Sequence, residues 1–316
     1  MATSTTGLIP NWFPPNRENY DFILSIWKWM PVVASLQWVI PWYGMGKTSV
    51  DSRLNLPGRV GWLTMEAPGF LTLLYTMRTL SAQVGGAALP YENRVLAFLF
   101  VLHYAYRALL FPFLQPSMSP IHAAVWLSAV AFQLTNGLAI GAWLGGYGPT
   151  TRAAWAAQLG TPQFAAGLAV FYLGLAANYY HDDELREIRR RAARRAREAA
   201  RKDRPPRGKE EEKKEEEEEE ERGKKNRKAG TVVDKHYEIP QAGLFKVMLY
   251  PHYFCEWVEW FGFWMAAGWG CLPARCFLFN EIAAMLPRAV RGRKWYAEKF
   301  GQDKVRGRWA VIPGVW

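Results

Sequence analysis

The charge in this chain is segregated, and the segregation constrains what the remainder can become. Residues 183–235 hold 20 Lys/Arg and 16 Asp/Glu, whereas the other 263 of the 316 residues share 31 charges. Outside that block, apolar stretches reach the ~20 residues that a helix needs to cross a bilayer. They fall at Phe22–Gly44, Val60–Leu80, Arg94–Leu114, Ile121–Leu144, Gln163–His181, Leu244–Trp269 and Leu272–Val290. The mean hydropathy of −0.15 conceals them, because the charged block offsets the apolar remainder. The expected fold is therefore an all-α, polytopic membrane protein with about seven transmembrane helices. It divides into a polar N-terminal segment (1–21), helices one to five (22–182), a charged insertion (183–236) and a C-terminal region with helices six and seven (237–316).

Charge also orients the chain. Lys47, Arg53 and Arg59 follow the first stretch, the charged block follows the fifth, and Arg288, Arg291, Arg293 and Lys294 follow the seventh. With seven spans these lie on one side, which the positive-inside rule makes cytosolic, together with the C-terminus. The N-terminus carries no basic stretch leading into a short apolar core, so no cleavable signal peptide is expected.

A formal net charge of +11 can signal nucleic acid, but here the excess fits membrane orientation. Residues 184–204 alternate Arg clusters with Ala and read as a helix running out of the fifth span until Pro205-Pro206 stops it. The acidic run Lys209–Arg222 beside them would repel phosphate, so a solvated insertion is expected and no nucleic-acid partner. Three cysteines form neither a CxxC pair nor a His-containing zinc spacing, so no metal is expected. There is no G-x-G-x-x-G following a strand pattern, which removes a Rossmann nucleotide site. Gly137, Gly141 and Gly145 recur every four residues and read as a close helix-packing face.

The polar residues left inside the spans converge under this topology. Glu66, Arg107, Asn178, Asp182, Glu256, Glu259 and Arg288 all fall toward the cytosolic half. Charges in lipid need one another or a polar ligand, so a water-filled pocket open to the cytosol is the economical arrangement. Asn178 and Asp182, one helical turn apart, share a face and could hydrogen-bond one ligand or cap the helix. Glu66 could instead form a structural pair with Arg107, and the C-terminal arginines could serve topology alone.

The run Pro251-His252-Tyr253-Phe254-Cys255-Glu256-Trp257-Val258-Glu259-Trp260-Phe261-Gly262, with Arg288-Ala289, Trp295-Tyr296 and Arg308-Trp309 beyond it, resembles the C-terminal signature of the steroid 5α-reductase family. Tyr237-Glu238-Ile239-Pro240-Gln241-Ala242-Gly243 is similar to the family's lead-in to the sixth span. Upstream, Trp62-Leu63-Thr64-Met65-Glu66-Ala67-Pro68 and His103-Tyr104-Ala105-Tyr106-Arg107 are similar to its Trp-Glu-Pro and His-Tyr-x-x-Arg elements. The resemblance implies an NADPH-dependent reductase of a membrane-dissolved enone, expected as a monomer in the endoplasmic reticulum membrane with a lipid-soluble substrate. It implies that Glu66 and Tyr104 polarise the ketone and that Trp62 lines the substrate pocket. Asn178, Asp182, Arg189, Tyr237, His252, Glu256, Arg288 and Tyr296 are then the cofactor-binding residues, with Arg308 as support.

The chemistry requires such a pair. Hydride addition to the β-carbon drives charge onto the carbonyl oxygen, and one aimed donor is worth ~3–4 kcal/mol in comparable sites. Glu66 must be protonated to donate, and an apolar pocket disfavours the charged carboxylate. Departures bear on the substrate: His252 stands where steroid-active members usually have Asn and the polyprenol-reductase branch has His, Gly292 replaces a His, Ala242 a Gly, and Glu238 a basic residue. The alternatives are therefore a polyprenol-type or enoyl-thioester reductase of the same superfamily, or a non-catalytic membrane adaptor displaying the charged loop, which would need neither Glu66 nor Tyr104.

Overall fold

The computed structural model describes residues 7–83, 88–202 and 237–315. The acidic run and Pro205-Pro206 lie outside the described residues. Within them the protein is overwhelmingly helical: α1 (Arg17–Trp27), α2 (Met30–Ser35), α3 (Gly58–Gln83), α4 (Tyr91–Tyr104), α5 (Phe111–Leu114), α6 (Ala123–Ala142), α7 (Arg152–Gln158), α8 (Thr161–Lys202), α9 (Pro251–Ala267), α10 (Leu272–Phe300) and α11 (Gln302–Val305). A two-residue antiparallel pair, β1 (Asn55–Leu56) on β2 (Ile121–His122), ties the entries of α3 and α6 together. Wide π turns at Ala105–Leu110 and Trp143–Tyr147 extend α4 and α6. Prolines at the first turns of α9 and α10 start those helices without wasting a donor. Gly268 and Gly301, at φ +88° and +95°, end them.

The expected first span is corrected by the structure. Phe22–Gly44 is not one helix: α1 stops at Trp27, α2 begins at Met30 with Pro31 in its first turn, and a 3₁₀ turn at Leu36–Trp38 follows. A proline that cannot continue the hydrogen-bond ladder accounts for the interruption near Lys28. Among the described residues two helices, Tyr91–Leu114 and Ala123–Tyr147, are long and apolar enough to cross a membrane, and a third follows if α7 and α8, bent by 83°, count as one span. The 26-residue α3 and 29-residue α10 have the length but carry charges such as Glu66 and Glu281, and the 17-residue α9 is short. Large apolar side chains nonetheless stay exposed, with Leu173 at 70% and Phe113 at 64%, a surface suited to lipid.

In lipid the hydrophobic effect does little to drive helices together, so close backbone approach carries more of the packing. The glycine face of α6 acts in this way. A Cβ at Gly141 would stand 2.8 Å from the Leu73 carbonyl oxygen, and one at Gly145 would stand 2.8 Å from the Met77 Cα, both on α3. The α8–α9 pair uses the same device from both sides. A Cβ at Gly174 would meet the Glu259 Cα at 2.6 Å, and one at Gly262 would meet the Gly167 carbonyl oxygen at 2.8 Å. Trp260 is the hub of the core, with ring centroids 4.5 Å from Phe277, 4.7 Å from His103 and 5.8 Å from Phe100.

A different contact closes the C-terminal end. Residues 309–310 run beside the lead-in to α9, with Trp309 N–H donating to the Val247 carbonyl (2.9 Å) and Leu249 N–H to the Trp309 carbonyl (2.9 Å). Ala310 and Val311 are buried in the core beyond it.

Candidate active site

Close packing of α8 on α9 sets the first part of the site. Asn178, 3% exposed, donates through Nδ2 to the His252 carbonyl (2.9 Å) and to Glu256 Oε2 (3.2 Å). Glu256 and Glu259 are both buried, and His103 of α4 lies between them: its Nδ1 is 2.7 Å from Glu259 Oε1, and its Nε2 is 3.8 Å from Glu256 Oε1. A carboxylate in an apolar bundle is tolerated only with partners, and here α4 and α8 each supply one to the carboxylates of α9.

The second part grows from the wide turn after α4. Arg107 reaches Asp182 at 3.7 Å and stands over the rings of Trp62 (5.0 Å) and Phe111 (5.1 Å). Trp62 Nε1 donates to the Arg107 carbonyl at 2.9 Å, so Trp62 holds the turn in place. Glu66 does not pair directly with Arg107. Its Oε2 accepts from Gln133 Nε2 of α6 at 2.6 Å, and Tyr104, 3% exposed, interacts with the same carboxamide. Glu281 of α10 completes the cluster, acting on Glu256, Arg288, Arg107 and Glu66.

At the end of the bundle where the charged block begins, Arg189 lies within electrostatic reach of Tyr237 and Tyr296. Tyr296 is 6% exposed and lies stacked on Phe300 with centroids 5.9 Å apart. Burial pushes its phenol up to about 12, so it is a neutral donor at physiological pH. Tyr237 packs edge-on against Trp295 (4.9 Å), with Lys299 Nζ 4.7 Å above its ring. Arg288 stands 4.8 Å over the ring of Tyr43, from the loop following α2. His252 lies among Phe245, Tyr250 and Tyr253 and joins the cluster through its backbone carbonyl.

A family profile described as 3-oxo-5-alpha-steroid 4-dehydrogenase matches residues 224–316. The 3-oxo-5-alpha-steroid 4-dehydrogenase 1 of Rattus norvegicus is 29% identical over 263 residues, covering 83% of this chain and 82% of its own. A steroid 5-alpha-reductase of Solanum lycopersicum is 26% identical over 315 residues, covering 96% of this chain and all of its own. The chain belongs to the steroid 5α-reductase family. An uncharacterized protein of Schizosaccharomyces pombe is 33% identical over 283 residues, covering 85% of this chain and 89% of its own.

Within this member of the steroid 5α-reductase family the motif residues fall into two neighbouring groups. Glu66, Tyr104, Trp62, Asp182, Asn178 and Glu256 gather in the bundle, while Arg189 acts electrostatically on Tyr237 and Tyr296 beyond it. Arg308 belongs to neither: its Nη1 donates to the Pro240 carbonyl at 2.9 Å and so clamps the lead-in segment. Gln133, Glu281 and Arg186 were not among the candidate site residues, nor was His103, although it heads the His-Tyr-x-x-Arg element. Arg186 is 4% exposed and donates to the Tyr106 hydroxyl at 2.7 Å. Gln133 and Glu281 are polar groups in otherwise apolar runs, which was the signal available for finding them, whereas Arg186 was hidden among the other charges of its block.

Proposed function

We propose that the protein reduces, with NADPH, the carbon–carbon double bond conjugated to the ketone of a 3-oxo-Δ4 steroid. In this reading it is a monomer with about seven spans in the endoplasmic reticulum membrane, its C-terminus cytosolic. The observation that carries it is the gathering of two pairs in one cluster inside the bundle: Glu66 held by Gln133 beside Tyr104, and Asn178 on Glu256 beside His103.

The residues fit a nicotinamide dinucleotide phosphate. Asp182 Oδ2 and Arg186 Nε are buried without a hydrogen-bond partner among the described residues, the condition that a polar ligand relieves. Arg189, Arg288, Tyr237 and Tyr296 would hold the phosphate-bearing part, since phosphates need several cations and donors. Asn178, Asp182, Glu256 and the His252 backbone would hold the nicotinamide end. When bound, the cofactor supplies the hydride. Glu66 as a carboxylic acid and Tyr104 as a phenol donate to the ketone oxygen, where negative charge develops, and the surrounding apolar helices exclude water. Trp62 keeps the Arg107 turn in register at the edge of the substrate space.

The test is NADPH oxidation by purified protein in detergent against 3-oxo-4-ene steroids, polyprenal-type lipids and enoyl thioesters. Turnover with the steroids is expected, with NADPH preferred over NADH. His252 favours a second reading, a polyprenol-type substrate, which preference for the polyprenal would establish. No oxidation with any of the three classes refutes the assignment as a reductase.

A further inference from the structure

Gln133 enters the site from α6, a helix that none of the family-like motifs touches. It is 5% exposed in a segment otherwise rich in Ala, Val, Leu and Phe, and its Nε2 donates to Glu66 Oε2 at 2.6 Å. Tyr104 lies beside the same side chain, whose oxygen is buried without a hydrogen-bond partner among the described residues, so the hydrogen bond of the carboxamide is the one to Glu66. The backbone makes room for it. Gly69 stands three residues after Glu66 and so on the same face of α3, and a Cβ there would fall on the Gln133 side-chain oxygen.

We propose that Gln133 is a positioning residue that decides which oxygen of Glu66 faces the substrate. This rests on the reductase reading above. A carboxylic acid can carry its proton on either oxygen and can turn over about its last torsion, so an untethered Glu66 would present a donor only part of the time. An N–H donated to Oε2 makes that oxygen the acceptor and leaves the proton on Oε1. With the amide reversed, the Gln133 oxygen would itself take the Glu66 proton, and the ketone would have no donor from this residue. The orientation with Nε2 toward Glu66 is the one that leaves a proton for catalysis. Gln133 does not need to touch the ketone to have this effect.

Three variants and a double-mutant cycle test it. Gln133→Met keeps the volume and removes the donor, and Gly69→Ala displaces the carboxamide without altering it. Both are expected to lower kcat at least ~10-fold, because a misplaced donor loses its alignment with the developing charge, while NADPH affinity stays at the wild-type value. In a Glu66→Ala background, Gln133→Met is expected to change kcat by no more than ~3-fold, the part owed to its neighbour Tyr104, since the Glu66 acid that it positions is gone. An equal loss in both backgrounds would mean a packing role and overturn the inference. Infrared spectroscopy gives a readout that needs no substrate. The Glu66 carboxyl stretch, identified by its disappearance in Glu66→Gln, is expected at higher wavenumber in Gln133→Met, because an accepted hydrogen bond weakens the C=O bond. An unmoved band refutes the contact even if every enone is reduced. A wild-type protein that reduces no enone but shows the band shift refutes the reductase assignment and leaves the tether in place.

Discussion

Substituting Gly174 by alanine should separate α8 from α9 and disconnect the two sides of the proposed cofactor site. The new Cβ would stand 2.6 Å from the Glu259 Cα and 2.8 Å from the Cys255 carbonyl oxygen. Ordinary contact begins at 3.4 Å, so the helices must part by at least about 0.8 Å. Neither neighbour is the end of a flexible side chain, so the strain falls on the backbone. Overpacking of this kind costs ~1–3 kcal/mol. Asn178 lies one turn beyond Gly174, and its 3.2 Å bond to Glu256 would open to about 4.0 Å, past the hydrogen-bonding range. Thermal unfolding in detergent and NADPH binding by fluorescence titration measure the two consequences separately. The unfolding midpoint should fall and the affinity should weaken together, while Gly270→Ala, with nothing within 4 Å of its Cβ, should match wild type. A Gly174→Ala protein that melts and binds like the Gly270→Ala control would refute the claim that backbone contact sets this site.

Tyr104→Phe and Glu66→Ala are each expected to lower turnover by roughly 100-fold or more, as for a lost oxyanion donor, with NADPH affinity unchanged; steady-state kinetics on a confirmed substrate checks it. Arg288→Ala and Asn178→Ala should each weaken NADPH binding at least ~10-fold, about 1.4 kcal/mol, and unchanged affinity in both would remove the proposed cofactor site. Replacing residues 204–228 with a short Gly/Ser linker should keep turnover within about threefold, because so charged a segment has little apolar surface to pack against the bundle. Loss of activity in a protein that still inserts would assign that segment a part in closing the site.

The sequence made the C-terminal half of the site legible because its residues lie close together along two helices. Glu256 sits five residues after Pro251, and Asn178 and Asp182 share a helical face, so motif and periodicity both point to them. Contacts between helices far apart in sequence left no such trace. Gln133 reaches Glu66 across 67 positions, and His103 reaches Glu259 across 156. A lone Gln in α6 and a lone Glu281 in α10 carry only the signal of a polar residue in an apolar run, which marks a place without naming a partner. The break between α1 and α2 was hidden for a related reason: hydropathy averages across Lys28 and Pro31, although a single proline is enough to end the helical ladder. The glycine face of α6 was readable as a packing surface, but only the fold shows that α3 is what it packs against.

The strand-like pairing of Trp309 with Val247 and Leu249 places an order on biosynthesis. The lead-in to α9 gains its hydrogen-bonding neighbour only after residue 310 has left the ribosome, more than 50 residues after Glu256 was made. Until then, the polypeptide preceding α9 lacks the partner that holds the start of that helix against the remainder of the bundle. A ribosome stalled between Val305 and Trp309 would therefore hold a nascent chain whose described helices are all translated and whose proposed cofactor side is still unlatched.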